Sequence, residues 1–222
     1  MKTALIAGAT GLTGKKLLFS LLNNKEYIRI FVLVRKELAI KDAKLSQIIF
    51  NYDNESDYHD LPIVNEVFCC LGTTIKKAGS EEAFKKVDMD YPLILADYYS
   101  KKGCEKYLII TALGANESSG IFYNKIKGIT EEKLKKINFN SIYICRPSLL
   151  LGDRDEFRLG ELLGKFFAKL VSWFLVGSLK KYRAIEASVL ADAMMKLAAK
   201  NEKGIFVVES DQLQALSKRN GQ

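Results

Sequence analysis

Gly8-Ala9-Thr10-Gly11-Leu12-Thr13-Gly14 is the stretch that decides the fold. The apolar run Ala4-Leu5-Ile6-Ala7 leads into Gly8. Residues 15–22 follow, with Leu17, Leu18, Leu21 and Leu22 at helical spacing. The three glycines thus lie between a strand and a helix. Gly8 allows a tight turn out of the strand. Gly11 lets the backbone approach a pyrophosphate with no Cβ in the way, and Gly14 lets the helix pack closely on the strand. The free N–H groups of the helix start then face the anion. Glycine-rich turns also occur in plain α/β proteins, but this placement points to dinucleotide binding.

Working outward, residues 28–34 (IRIFVLV) are β-branched and almost wholly apolar, as expected of a strand covered on both faces. Residues 47–50 form a weaker strand and 66–71 (EVFCCL) another buried one. Helices are expected over 81–87 and 91–102, a strand over 107–111, a helix over 122–136 and a strand over 141–145. Helices over 160–176 and 188–200 precede a late strand at 205–208, and the polar tail 212–222 reads as frayed. Strands alternating with helices predict a Rossmann-type α/β fold, a doubly wound parallel sheet with helices on both faces. At 222 residues the whole chain, 1–222, is expected to be one domain. About 150–182 would contribute a small substrate or lid lobe.

The end of the second strand selects the nucleotide. An NAD site usually places Asp or Glu there, to accept from the ribose 2′-OH. Here Val34 is followed by Arg35 and Lys36, two cations that suit a 2′-phosphate, so NADPH is favoured over NADH. In the other reading Arg35 stacks on the adenine face, which suits either cofactor. Leu71-Gly72 closes the strand at 66–71, where cofactors pass in open α/β sheets. Cys69 and Cys70, being successive, are expected to enter opposite helix-covered layers.

Two Tyr-x-x-x-Lys pairs occur, Tyr98/Lys102 and Tyr123/Lys127. Tyr and Lys four apart share a helical face, and an ammonium near a phenol favours the phenolate. Such a tyrosine can exchange a proton with a carbonyl or alcohol. Tyr98/Lys102 ends a helix near the amino edge of the sheet and is assigned to the surface. Tyr123/Lys127 opens the helix that follows the strand ending at Thr111, at the carboxyl edge on the cofactor's side. Chemistry is therefore assigned to Tyr123, Lys127 and Thr111.

GATGLTG, the Thr111…Tyr123-x-x-x-Lys127 constellation and Arg146-Pro147 resemble an atypical short-chain dehydrogenase/reductase. FCCLGTT at 68–74, KAGSEEAFKKVDMDY at 77–91 and RPSLLLGDRDEFRLGE at 146–161 resemble, more narrowly, the Tat-interacting-protein-like oxidoreductases. The resemblance implies an NADPH-dependent oxidoreductase. Hydride would pass between nicotinamide and a carbonyl or alcohol, with Tyr123 as acid/base and Lys127 holding the nicotinamide ribose. Thr111 would donate a hydrogen bond to the substrate oxygen. The implied cofactor contacts are Gly8, Ala9, Thr10, Gly11, Leu12, Thr13, Gly14, Arg35, Lys36, Leu71, Gly72, Tyr123, Lys127, Leu150 and Arg158. Serines often stand in related sequences where this chain has Thr111-Ala112. The rival reading, also from the resemblance, is an NADPH-binding regulatory protein with a protein partner and little or no turnover.

The formal charge is +8, from 34 Lys+Arg against 26 Asp+Glu, and the hydrophobic fraction of 48% excludes a disordered chain. With 27 Lys to 7 Arg, the charge reads as a solvated lysine surface and not as a nucleic-acid interface. Residues 125–136, alternating in sign through Glu131 and Glu132, read as a solvated helix face. The lone His59 excludes a His-rich metal site and suits chemistry run by tyrosine and lysine. The four cysteines include no CxxC pair, and the short apolar N-terminus is not read as a secretory signal. Together they predict reduced, mostly buried thiols in a cytoplasmic protein. Residues 161–179 (ELLGKFFAKLVSWFLVGSL) are the most apolar long stretch, but Lys165 and Lys169 argue against a transmembrane segment. Three readings stand: a lid over an apolar carbonyl or quinone-like small-molecule substrate, a basic amphipathic helix in peripheral contact with a membrane or partner, or plain packing on the C-terminal lobe.

Overall fold

The computed structural model describes residues 1–152 and 177–218. The chain begins with β1 (Lys2–Ala7), α1 (Leu12–Asn23), β2 (Tyr27–Val34), β3 (Leu45–Ile49), a short α2 (Glu55–His59) and β4 (Glu66–Cys69). Next come α3 (Ile75–Ala78), α4 (Glu81–Lys85), a π-helical turn (Lys86–Asp90) and α5 (Tyr91–Lys101). They are followed by β5 (Lys106–Ile110), α6 (Phe122–Leu134), β6 (Ser141–Arg146) and β7 (Leu150–Leu151). A 3-10 turn (Gly177–Tyr182), β8 (Ile185–Glu186), α7 (Ala187–Ala198), β9 (Gly204–Glu209) and α8 (Ser210–Lys218) complete the described chain.

The sheet runs β3-β2-β1-β4-β5-β6-β9, and each neighbouring pair is parallel. The strand order reverses at β1, so β1 and β4 open a crevice at the carboxyl edge, where ligands bind in such sheets. A separate two-stranded ladder pairs β7 with β8. Strand alternation builds two cores. Ile6, Phe68 and Cys145 face one layer with Leu17, Leu21, Leu190 and Met194. Leu5, Ala7 and Cys69 face the other with Leu95, Tyr99 and Leu61. Each such fully buried leucine contributes about 1.5–3 kcal/mol relative to exposure. Cys69 and Cys70 do enter opposite layers, Cys70 packing against the first.

Three expectations need correction. The second strand is not covered along its whole length: Tyr27 and Ile30 are buried, but Ile28 between them is half exposed and Arg29 is exposed. No element is expected between residues 50 and 66, yet Glu55–His59 form α2, capped by the Asn54 side chain, which accepts from the Ser56 N–H. The tail is helical through Lys218, because Leu213 is fully buried and Leu216 packs on the same core. Lys196 Nζ secures the end of α8 by donating to the carbonyls of Leu216 and Ser217.

The amino edge carries a buried polar cluster. Glu66 accepts from Tyr27 Oη at 2.5 Å and Lys2 Nζ at 2.9 Å. The buried Lys106 Nζ donates to the carbonyls of Ala198 and Lys200, tying the end of α7 to the sheet.

Candidate active site

Gly8 has φ +87°, the left-handed region that favours glycine, and a Cβ there would lie 2.6 Å from the Cys70 carbonyl oxygen. A Cβ on Gly14 would lie 2.1 Å from the Gly8 oxygen. These two glycines let β1, β4 and α1 meet. Gly11 differs: its Cβ would meet only the Gly8 oxygen, at 3.3 Å, and otherwise the Cys70 oxygen at 4.0 Å. Gly11 is the N-cap of α1, with no side chain to cap it and no acidic residue in the first turn. Lys15 N makes the bond back to Gly11 O, which leaves the N–H groups of Leu12, Thr13 and Gly14 ahead of the helical ladder. The Thr13 hydroxyl is buried without a hydrogen-bond partner. Ala9 is buried, whereas Thr10 and Gly11 are exposed. An uncapped helix start behind an open glycine can receive an anionic diphosphate.

Across the crevice, α6 presents Tyr123 and, one turn on, Lys127. Tyr123 is half-buried, its ring centroid 5.5 Å from that of Phe84. Lys127 is buried, with Nζ 2.7 Å from Asp88 Oδ1. The Thr73 N–H donates to Asp88 Oδ2 at 2.8 Å, and the Thr130 hydroxyl, which donates to the Ile126 carbonyl at 2.8 Å, stands 3.2 Å from the Asp88 carbonyl. Burial pushes the Lys127 ammonium down; the Asp88 carboxylate and Tyr123 push it up, and the net direction is up. A Cβ on Gly72 would lie 3.5 Å from Asp88 Oδ1 and 3.9 Å from Lys127 Nζ. Gly72 and Lys127, far apart in sequence, are thus brought together.

Thr111 is placed differently from the expectation. Its hydroxyl is buried and donates to Glu131 Oε1 at 2.6 Å, with the Cys145 carbonyl at 3.3 Å. Glu131, fully buried, also receives Arg146 Nε at 3.0 Å and Nη2 at 2.5 Å. The solvated-face reading of 125–136 is therefore corrected. Lys127 and Glu131, four apart, share the inward face of α6, and their charges are met by Asp88 and Arg146 on neighbouring elements. Sequence reasoning missed both carboxylates. Asp88 had one legible signal, a lone acid between Val87 and Met89 in a helical stretch that also holds the buried Phe84.

Arg35 and Lys36 follow β2 and are exposed; Leu71 and Leu150 are half-buried, and Arg158 lies outside the described residues. A Cβ on Gly152 would lie 2.7 Å from Leu12 Cδ1, so the end of β7 adjoins the glycine loop. The apolar stretch 161–179 lies outside the described residues as far as Val176. Lys102 Nζ stands 5.5 Å over the Tyr98 ring. Both line an open cavity of about 730 Å³ between α2 and α5, which contains neither Tyr123 nor Lys127. Burial pushes the Cys104 and Cys145 thiols up to about 12. Among the described residues no cluster of potential metal ligands occurs, and no helix is long and apolar enough to cross a membrane.

The fold is similar to that of solved short-chain dehydrogenase/reductase and epimerase structures. It resembles MoeE5, solved with UDP-glucuronic acid and NAD, at a TM-score of 0.68 and 14% identity, over 98% of this chain and 82% of that one. It also resembles the ADP-L-glycero-D-manno-heptose-6-epimerase of Helicobacter pylori (TM-score 0.69, 16% identity, 98% and 82% covered). No family model matches the chain. Among curated proteins, HTATIP2 of Rattus norvegicus is 35% identical over 178 residues, 78% of this chain and 73% of that protein. The FMP52 protein of Eremothecium gossypii, named mitochondrial, is 30% identical over 220 residues, 97% of each chain. The chain belongs to this HTATIP2/FMP52 family of atypical short-chain dehydrogenase/reductases. The cytoplasmic expectation is overturned by the fungal relatives, which are named mitochondrial. Cysteine usage reports a reducing environment and does not separate compartments that share one.

Proposed function

We propose that the protein is an NADPH-dependent oxidoreductase that transfers hydride between nicotinamide and a small-molecule carbonyl or alcohol. The observation that carries this reading is the placement of Tyr123 and Lys127 at the carboxyl edge, with Lys127 buried beside Gly72. The residues present fit a nicotinamide dinucleotide: the open Gly11, the uncapped start of α1 and the unpartnered Thr13 hydroxyl suit its diphosphate. When bound, the dinucleotide supplies hydride. Arg35 and Lys36 would hold the adenine-side phosphate and select NADPH over NADH. Lys127 would donate to the nicotinamide ribose. Tyr123 would give a proton to the substrate oxygen during carbonyl reduction and take it back in the reverse direction.

Thr111 has no part in this scheme, because its proton goes to Glu131. With Ala112 beside it, the end of β5 offers the substrate no hydroxyl from either residue. That observation favours the second reading, an NADPH-binding regulatory protein with slow or no turnover. NADPH oxidation across a panel of carbonyls and quinones, beside NADPH affinity by calorimetry, separates the two. Turnover abolished by Tyr123→Phe supports the first reading; tight binding with no turnover on any substrate supports the second. The fungal relatives' names favour a mitochondrial location, which fractionation would test.

A further inference from the structure

Lys127 and Asp88 form a buried ion pair one helical turn beyond Tyr123, with side chains 4% and 1% exposed. The carboxylate is held from several sides. Oδ1 meets the ammonium and Oδ2 takes the Thr73 N–H. The π-helical turn thereby fixes Asp88 against both β4's exit and α6. Seen from Tyr123, an ammonium with a carboxylate 2.7 Å away is closer to a dipole than to a charge.

We propose that Asp88 is a positioning residue that sets the protonation of the Tyr123–Lys127 pair. Its carboxylate holds Lys127 as an ammonium and cancels much of that charge. Tyr123 thereby faces a paired ammonium and not a bare charge, an arrangement suited to donating a proton in carbonyl reduction. This rests on the assignment of Tyr123 and Lys127 as the reactive pair.

The neighbouring groups leave Asp88 as the main counter-charge. On α6, Glu131 lies one turn beyond Lys127 and is bound by Arg146 and Thr111, while Lys125 is exposed. On the π-helical turn, Lys86 pairs with Asp53, and both line the α2–α5 cavity with Asp90. From β4, Cys69 faces the pair as a thiol held neutral by burial. From β5, Tyr107 gives its hydroxyl proton to the Pro92 carbonyl. The helix α4 contributes the ring of Phe84.

The test is an ultraviolet titration of tyrosinate absorbance in the cofactor-free protein. Subtracting the curve of Tyr123→Phe from that of the parent isolates Tyr123. The same subtraction in an Asp88→Asn background isolates it without the carboxylate. The midpoint is expected to fall by about 1–2 pH units in Asp88→Asn. A midpoint that stays put or rises overturns the proposal. Lys127→Met is expected above the parent, and Lys127→Met/Asp88→Asn below Lys127→Met. If circular dichroism shows that Asp88→Asn alone does not fold, that last comparison decides, since removing both charges leaves neither buried unpaired. Absence of turnover would count against the function proposed above and would leave this titration fully readable.

Discussion

Thr111 delivers its hydroxyl proton to Glu131 at 2.6 Å, and Glu131 is in turn gripped by the Arg146 guanidinium. The hydroxyl at the end of β5 thus works for the fold, locking α6 against β5 and β6. Thr111→Val removes one donor from a buried carboxylate that keeps its charge partner. Stability is expected to fall by about 1–3 kcal/mol in urea denaturation, with turnover changed less than about tenfold. Loss of turnover of 100-fold or more in a folded variant would return Thr111 to the chemistry.

Glu131→Gln leaves the Arg146 guanidinium without its counter-charge. Breaking a fully buried pair costs about 3–5 kcal/mol, but Arg146 is one-fifth exposed and can reach water. The expected cost is about 2–3 kcal/mol, with Thr111→Val/Glu131→Gln costing less than the sum of the two single variants. A double-mutant cycle in urea measures this, and strict additivity would contradict the shared network.

The glycines should separate fold from binding. Gly14→Ala drives a Cβ into the Gly8 carbonyl, so a loss of several kcal/mol or failure to fold is expected. Gly11→Ala meets only one contact at 3.3 Å, with φ −74° that alanine accepts. It should stay within about 1 kcal/mol of the parent by thermal melting while NADPH affinity drops tenfold or more by calorimetry. Equal affinity in Gly11→Ala would place the diphosphate elsewhere.

Nucleotide choice should rest on Arg35 and Lys36. The double variant Arg35→Ala/Lys36→Ala removes two charge-assisted contacts of about 1.5–3 kcal/mol each. NADPH affinity is expected to fall by about 100-fold or more while NADH affinity changes little, which isothermal titration with each nucleotide would show. A parallel loss for both nucleotides would mean that Arg35 stacks on adenine.

Alkaline pH should weaken the fold. The Cys104 and Cys145 thiols are pushed up by burial from 9.0 to about 12. The unfolded chain therefore releases these protons first. Their contribution to stability is fully present below about pH 9 and is lost as pH rises through about 12. The decline approaches about 1.4 kcal/mol per pH unit for each thiol. Denaturation curves between pH 8 and 11 should show it, with a shallower slope in Cys104→Ala and Cys145→Ala; an unchanged slope would assign the loss to the buried tyrosines.

Glycine spacing, the alternation of apolar runs and the Tyr-x-x-x-Lys period are local patterns. For that reason the doubly wound sheet, the glycine loop and the carboxyl-edge position of Tyr123 were legible in the sequence. A period of two likewise sent Cys69 and Cys70 to opposite layers. What escaped was pairing across elements. Asp88 finds Lys127 from 39 positions away, Glu131 on α6 finds Arg146 on β6, and no local pattern marks a charge that is buried with its partner. Thr111 carried the right atom at the right strand end, but only the position of Glu131 decided where that hydroxyl points. The sequence by itself determined the scaffold and the place of Tyr123 at its carboxyl edge. The tertiary structure alone decided which charges stand near Tyr123, because electrostatics depends on distance through space and not along the chain.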